Sequence, residues 1–220
     1  MTLDVNGEVR KKLIQIFFKA PIEGKVKTRL IPKVGLSNSV AIHTRLCEQV
    51  IRCVTAYAEQ HADVTVQFWV DLDINHTFVQ ENATRYGVDV FQQQGRDLGE
   101  RMQFAMTQGV MVTDQVVVVG GDCLSLCETY LAQAFAVLDK KDVVFGPADD
   151  GGYILLGSHG LKQGIFEGVK WGENTVLTSS IGCVQQSGKS YGLLDKRWDI
   201  DTWDDIQRNA PQLLDGLKHY

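Results

Sequence analysis

The chain has 220 residues, with 22 Lys and Arg against 27 Asp and Glu, a formal net charge of −5, and 44% hydrophobic and 22% charged residues. This composition excludes disordered, collagen-like and membrane-embedded classes. The length suffices for a sizeable core, and the lack of a Pro/Ser-rich linker or low-complexity tract predicts a single domain over residues 1–220.

The N-terminus sets acids and a glycine before a very short apolar core, which is not the build of a signal peptide. No apolar segment approaches the roughly 18 residues that span a bilayer. Five cysteines, Cys47, Cys53, Cys123, Cys127 and Cys183, show no CxxC or Cys/His metal spacing, so reduced thiols in a cytoplasm are expected.

Residues 13–18, LIQIFF, are a mostly apolar run, too short for a helix, and predict a buried strand. The loop that follows, KAPIEGKVKTRL, carries Lys19, Lys25, Lys27 and Arg29 just past the strand end. In an open α/β sheet that is where ligands bind. Gly24 permits close backbone approach, and Lys19, Lys27 and Arg29, with the Thr28 hydroxyl, are candidate donors to phosphate oxygens. The plain alternative is a solvated surface loop.

Helical recurrence covers residues 37–57, through Ile42, Leu46, Val50, Val54 and Tyr57. A strand at 64–70, a helix at 75–86 and an extended segment at 88–91 follow. The stretch QQQGRDLGERM holds Asp97 and Glu100 at capping-box spacing, ahead of a helix through Leu98, Met102, Ala105, Met106 and Val110. Gln94 and Gly95 in it are candidates for lining a base or ribose pocket.

Four valines, 116–119, predict a strand covered on both faces, as in a parallel sheet. They run into GGDC, where Gly121 allows close approach and Asp122 is either a metal ligand in the crevice or the cap of the next helix, expected at 125–137. Strands at 142–145 and 153–156 flank GPADDGG. Asp150-Gly151 is a hairpin signal, while Asp149, a second glycine and Tyr153 exceed what a turn requires, and the backbone amides of Gly151 and Gly152 are candidates for meeting an acceptor anion. Trp171, in WGENT, either covers a site or anchors a loop. A helix at 175–186, a strand at 191–194 and a broken helix at 202–218 complete the chain. In RWDIDTWDD, Asp199 and Asp201 alternate around Ile200, so an extended segment directs both to one side, where they suit Mg²⁺ or Mn²⁺. Helix capping by Asp201 or Thr202 is the alternative and leaves Asp199 without a purpose.

The alternation of strand and helix predicts an α/β fold with a mainly parallel, doubly wound sheet. Neither GxGxxG nor a P-loop is present, which argues against dehydrogenases and P-loop ATPases. Residues 1–52 carry ten Lys/Arg and four Asp/Glu, a balance of +6 that leaves −11 for the remainder. Cations early and carboxylates late suit an anionic ligand meeting a metal ion, not nucleic acid.

In this order, KAPIEGKVKTRL, QGRDLGERM, GGDC, GPADDGGYILLG, WGENT and DIDTWDD resemble a bacterial glycosyltransferase-like family of the nucleotide-diphospho-sugar transferase (GT-A) superfamily. More distantly they resemble the 2-phospho-lactate and molybdenum-cofactor guanylyltransferases. The resemblance implies a fold of the GT-A type and a metal-dependent transferase with a nucleotide donor, a small-molecule acceptor and Mg²⁺ (or Mn²⁺). It implies that Lys19, Ala20, Gly24, Lys27, Thr28 and Arg29 wrap the phosphates, with Gln94, Gly95, Asp97 and Gly121 also on the nucleotide. Asp122, Asp199 and Asp201 are the implied metal ligands, and Lys19, Lys27, Arg29 and Asp122 the implied catalytic set. Asp149, Asp150, Gly151, Gly152, Trp171, Asn174 and Thr175 fall on the acceptor side, where Asp149 or Asp150 is the candidate base for a hydroxyl acceptor. One departure is Leu124, where the family commonly has proline. Nucleotidyl transfer from an NTP to a phosphate-bearing molecule is expected. Glycosyl transfer from an NDP-sugar and a non-catalytic nucleotide-binding module are the alternatives.

Overall fold

A computed structural model of the chain describes residues 11–161 and 164–217. The reading of residues 1–10 as lacking signal-peptide character, and the last residue of the helix expected at 202–218, lie outside the described residues. Seven strands, β1 (Lys12–Lys19), β2 (Val64–Asp71), β3 (Asp89–Gln92), β4 (Gln115–Gly120), β5 (Val143–Pro147), β6 (Tyr153–Ser158) and β7 (Tyr191–Leu193), form one sheet. Its order is β3-β2-β1-β4-β6-β5-β7. All pairs are parallel except those made by β6 with β4 and β5. The sheet is therefore mainly parallel and of the expected class. The antiparallel strand arises because the Asp150-Gly151 turn, with Gly151 at φ 89, folds β6 straight back on β5.

The helices are α1 (Ile31–Glu59), α2 (Thr77–Tyr86), α3 (Leu98–Val110), α4 (Glu128–Leu138), α5 (Val176–Gln186) and α6 (Trp203–Asn209). Strand side chains alternate between two apolar layers. Ile14, Ile16, Phe18, Val117 and Val119 face one layer with residues of α1, α2 and α4. Leu13, Phe17, Val116 and Val118 face the other, with residues of α3 and α5. The valine run of β4 is buried because both faces are covered, and each such side chain contributes roughly 1.5–3 kcal/mol.

Two boundaries differ from expectation for physical reasons. α1 starts before residue 37 but is broken at Gly35 (φ 80), so the periodic part begins where the apolar pattern does. α4 begins at Glu128 rather than 125, because the Ser125 hydroxyl donates to the Trp198 carbonyl (2.7 Å).

A third cluster, Leu30, Val34, Ile42, Leu46, Ile200, Ile206 and Leu213, closes the start of α1 against the C-terminal segment. This packing lays residues 198–201 beside the end of β4, where the Ile200 amide donates to the Asp122 carbonyl (3.4 Å). Parallel register then brings the C-terminal ends of β3, β2, β1 and β4 to one edge of the sheet.

Candidate functional site

The cationic loop leaves β1 through a tight turn in which the Ile22 amide donates to the Ala20 carbonyl (2.8 Å) and the Lys25 amide to the Ile22 carbonyl (3.0 Å). Gly24 takes φ 71 there, a conformation glycine holds without a Cβ penalty. Val26, 2% exposed, pins the loop into the core. Lys27 then adopts left-handed backbone (φ 43, ψ 43) ahead of a short 3-10 turn, Thr28–Leu30.

That backbone drives the Lys27 side chain inward, leaving it 5% exposed. Its Nζ lies 3.0 Å from Asp122 Oδ2 and 3.7 Å from Asp201 Oδ1, and also donates to the Ile200 carbonyl. Arg29 pairs with Asp201 from the solvent side. Burial alone would push the Lys27 pKa down; the Asp122 and Asp201 charges outweigh it and hold it above the ordinary value. For Asp122, burial acts upward and the Lys27 charge downward, and the net direction is down. The two sustain each other as an ion pair at the foot of the loop.

Asp199 differs. Burial first, then the carboxylates of Asp122 and Asp150, push it up to about 6. It is an oxygen donor short of positive charge beside Asp122. Beneath the pair, His43 donates through Nε2 to the Lys19 carbonyl (2.8 Å), and burial lowers its pKa.

One cavity of about 650 Å³ is lined by most of these groups, Asp199 not among them. Of the residues expected on the nucleotide or metal, Lys19, Lys27, Thr28, Arg29, Gly121, Asp122 and Asp201 line it, together with Lys25, whereas Gly24 does not. Gly121 must be glycine, because a Cβ there would lie 2.7 Å from Phe18 Cβ. His43, Asp71, Gln93 and Arg101 also line it and were not anticipated. Arg101 and Asp71 are joined at 2.9 Å. A second cavity of about 440 Å³, between α4 and β7, includes none of these residues.

Other expected residues serve elsewhere. Ala20 is fully buried under the loop. Gln94 and Gly95 do not line the cavity, and Gln93 does. Asp97 caps α3 by accepting from the Glu100 amide (2.9 Å). Asp122 caps no helix: α4 begins six residues later, with Cys127 at its cap. Thr202, with Asp205, forms the capping box of α6, which frees Asp201 from that role.

The acceptor-side residues also lie outside the cavity lining. Asp150 accepts from the Gly152 amide (2.9 Å), and Asp149 pairs with Lys196 (3.2 Å). A Cβ on Gly151 would sit 2.0 Å from the Asn174 carbonyl, so that turn packs on the approach to α5, whose cap is Thr175. Trp171 is an anchor: a Cβ on Gly99 would lie 2.4 Å from its ring, and Tyr153 and Phe166 meet it edge-on.

The expected metal ligands are all hard oxygens, as Mg²⁺ and Mn²⁺ prefer. Among the described residues no group of three or more His, Cys, Asp or Glu side chains is gathered to hold an ion. Asp201 is paired with both Arg29 and Lys27 and Asp122 with Lys27 alone, so Asp122 beside Asp199, which has no ion pair of its own among the described residues, is the pair whose chemistry best fits a divalent cation.

The fold is that of the nucleotide-diphospho-sugar transferase class. A solved structure from Desulfovibrio desulfuricans G20, described as a "putative nucleotide-diphospho-sugar transferase", superposes with a TM-score of 0.78 over 94% of each chain at 24% identity. A cytidylyltransferase from Leptospira borgpetersenii superposes at 0.56, with 13% identity over 96% of this chain and 100% of that one. The inositol-1-phosphate CTP transferase of T. maritima superposes at 0.51, with 12% identity over the same shares. The chain belongs to the family described as "Uncharacterized protein conserved in bacteria (DUF2064)", which matches residues 54–173. That match includes Asp122 and the Asp149–Gly152 turn and leaves out the cationic loop and Asp199. A search of curated proteins finds no match.

Proposed function

We propose that the chain is a nucleotide-using transferase whose principal reaction is nucleotidyl transfer from an NTP to a phosphate-bearing small molecule, with pyrophosphate released. The observation that carries this reading is the cavity lined by Lys19, Lys25, Lys27, Thr28 and Arg29 together with Asp122, at the C-terminal ends of β1 and β4. A loop so rich in cations suits a triphosphate, whose charge exceeds that of a diphosphate sugar.

In this reading the acceptor phosphate attacks the α-phosphorus, the bond to the β-phosphate oxygen breaks, and pyrophosphate departs with the electron pair. Lys19, Lys27 and Arg29 bind the β- and γ-phosphates and neutralise charge that grows on the leaving group. Gly121 lets the donor lie close to β4, so the groups are aligned before reaction. A phosphate acceptor needs no general base. In this reading the turn at Asp149–Gly152, whose Asp150 charge acts on Asp199, meets the acceptor. Asp122 and Asp199 would hold Mg²⁺ or Mn²⁺, which would supply positive charge to offset that of the phosphates. The cytoplasm is the proposed compartment, in keeping with five free cysteines.

Glycosyl transfer is the second reading, favoured by the description of the Desulfovibrio relative. A thermal-shift screen against NTPs and NDP-sugars, with and without Mg²⁺, separates the two, because a ligand bound only by the native state raises Tm. Stabilisation by an NTP with metal, followed by pyrophosphate release with phosphate acceptors, supports nucleotidyl transfer. Stabilisation only by an NDP-sugar makes the chain a glycosyltransferase. Binding without turnover across a broad acceptor panel indicates a nucleotide-binding module, and no shift at all removes the nucleotide reading. Asp122→Asn keeps a hydrogen-bond acceptor for Lys27 but not its counter-charge, so Tm is expected to fall with the chain still folded, while metal-dependent turnover of the folded protein falls at least about a hundredfold.

A further inference from the structure

The cavity has a second end that phosphate binding does not use. Asp122 follows β4, Lys19 ends β1, Asp71 ends β2 and Gln93 follows β3, and these four strands are adjacent and parallel. Neighbouring strands lie about 4.8 Å apart, so Asp71 stands roughly 10 Å from the end of β4 and Gln93 roughly 14 Å. That is the reach of a nucleotide from its phosphates to its base.

Asp71, Gln93, Leu98 and Arg101 form the wall at this end. Leu98 is 45% exposed, an apolar surface at the mouth against which a flat ring can rest. Arg101 is fixed in place: NH1 lies 2.9 Å from Asp71 Oδ2, and Nε donates to the Gly95 carbonyl (3.2 Å). Two of its five N–H donors are thus engaged and three remain.

Asp71 is itself tightly held. Its carbonyl accepts from the Ala20 amide (3.0 Å), tying it to the start of the cationic loop, and its Oδ1 accepts from the Leu72 amide (2.9 Å). Leu72 has φ 76. It and Lys27 are the two non-glycine residues among the described ones with positive φ; Lys27 lines this cavity, and Leu72 directly follows Asp71, which does. Such strain persists where the surrounding structure holds a residue for a task.

We infer that Arg101, oriented by Asp71, reads the base of the bound nucleotide and selects bases that offer a carbonyl oxygen over adenine. The inference rests on the nucleotide reading given above. A guanidinium only donates hydrogen bonds. Guanine, cytosine and uracil each present a carbonyl acceptor, whereas adenine presents ring nitrogens beside an amino donor that opposes it.

The test compares binding of inorganic tripolyphosphate, ATP, GTP, CTP and UTP to the wild-type chain, Arg101→Met and Arg101→Lys. Tripolyphosphate has no base, so it is expected to bind the wild type and Arg101→Lys, which keeps the cation, alike. At least one of GTP, CTP and UTP is expected to bind the wild type about tenfold tighter than ATP. Both variants are expected to lose that margin. Arg101→Lys keeps a cation beside Asp71, so it decides the matter alone if Arg101→Met is poorly folded. ATP binding as tightly as the best of the others, or a margin that survives in Arg101→Lys, overturns the inference while leaving nucleotide binding intact. Failure of every triphosphate, tripolyphosphate included, to bind the wild type overturns the nucleotide reading and this inference with it.

Discussion

Three carboxylates at this site live under different fields. Asp122 has the Lys27 ammonium at 3.0 Å, Asp201 has Arg29 and Lys27, and Asp199 feels Lys27 only at longer range, too weakly to offset burial and the neighbouring carboxylates. With its pKa pushed up to about 6 by burial and by Asp122 and Asp150, Asp199 stabilises the fold only while protonated. That contribution is complete below the unfolded value near 4 and is lost as pH rises through about 6. Asp199→Asn removes the charge and is expected to raise stability at pH 7 by on the order of 1–2 kcal/mol, a figure reduced for partial access of the side chain to water. The gain should vanish near pH 4. Thermal melts of both proteins across that range check it, and equal Tm values at pH 7 would show that Asp199 carries no such burden. Saturating Mg²⁺ is expected to stabilise the wild type more than the variant, because only the wild type offers a carboxylate there.

At the scale of elements, the site depends on turns that bring backbone against backbone. The turn between β5 and β6 is the tightest case, since a Cβ on Gly151 would lie 2.0 Å from the Asn174 carbonyl and φ is 89. Gly151→Ala is expected to destabilise the chain by roughly 2–4 kcal/mol, because clash and strain act together. Gly182, inside α5, has no atom within 4 Å of an added Cβ and no positive φ. Gly182→Ala is expected to stabilise by about 0.5–1 kcal/mol through helix propensity. Denaturant unfolding of the two variants gives opposite signs if packing at the turn decides, and the same sign if glycine content alone does. The elements were legible because their apolar periods are clean: Ile42, Leu46, Val50, Val54 and Tyr57 are all buried on α1. Lys27, Arg29 and Asp122 were legible because charge at a strand end is costly without a partner. Asp71 obeyed the same rule at the end of β2 and went unnoticed beside longer motifs. Arg101 was hidden within a stretch that helix capping already explained, and only the parallel pairing of β1 with β2 brings it to the loop. Trp171 shows the reverse, since a residue in a motif turned out to wedge α3 against the core.

Across the whole molecule, charge is sorted rather than balanced. The chain carries −5, yet the cavity is lined by Lys19, Lys25, Lys27, Arg29 and Arg101 against Asp71, Asp122 and Asp201, an excess of two cations. A recess of one sign inside a body of the other concentrates field lines and draws anions inward. The sequence foreshadows this in the surplus of cations before residue 53, but the sheet is what folds that surplus toward carboxylates from residues 122 and 201. Long-range attraction of this kind is screened by salt, whereas the contact between Lys27 and Asp122, nearly closed to solvent on the lysine side, is screened much less. Raising KCl from about 0.1 M to about 1 M shortens the screening length from roughly 10 Å to 3 Å. Triphosphate binding is therefore expected to weaken about tenfold or more over that range, mainly through a slower association rate, while Tm without ligand changes by only a few degrees. Stopped-flow association and melting curves measured on the same samples separate the two effects. Affinity that ignores salt would mean that the cations answer to their own carboxylates alone, with Lys27 and Arg29 bracing the fold and no anion drawn to the recess.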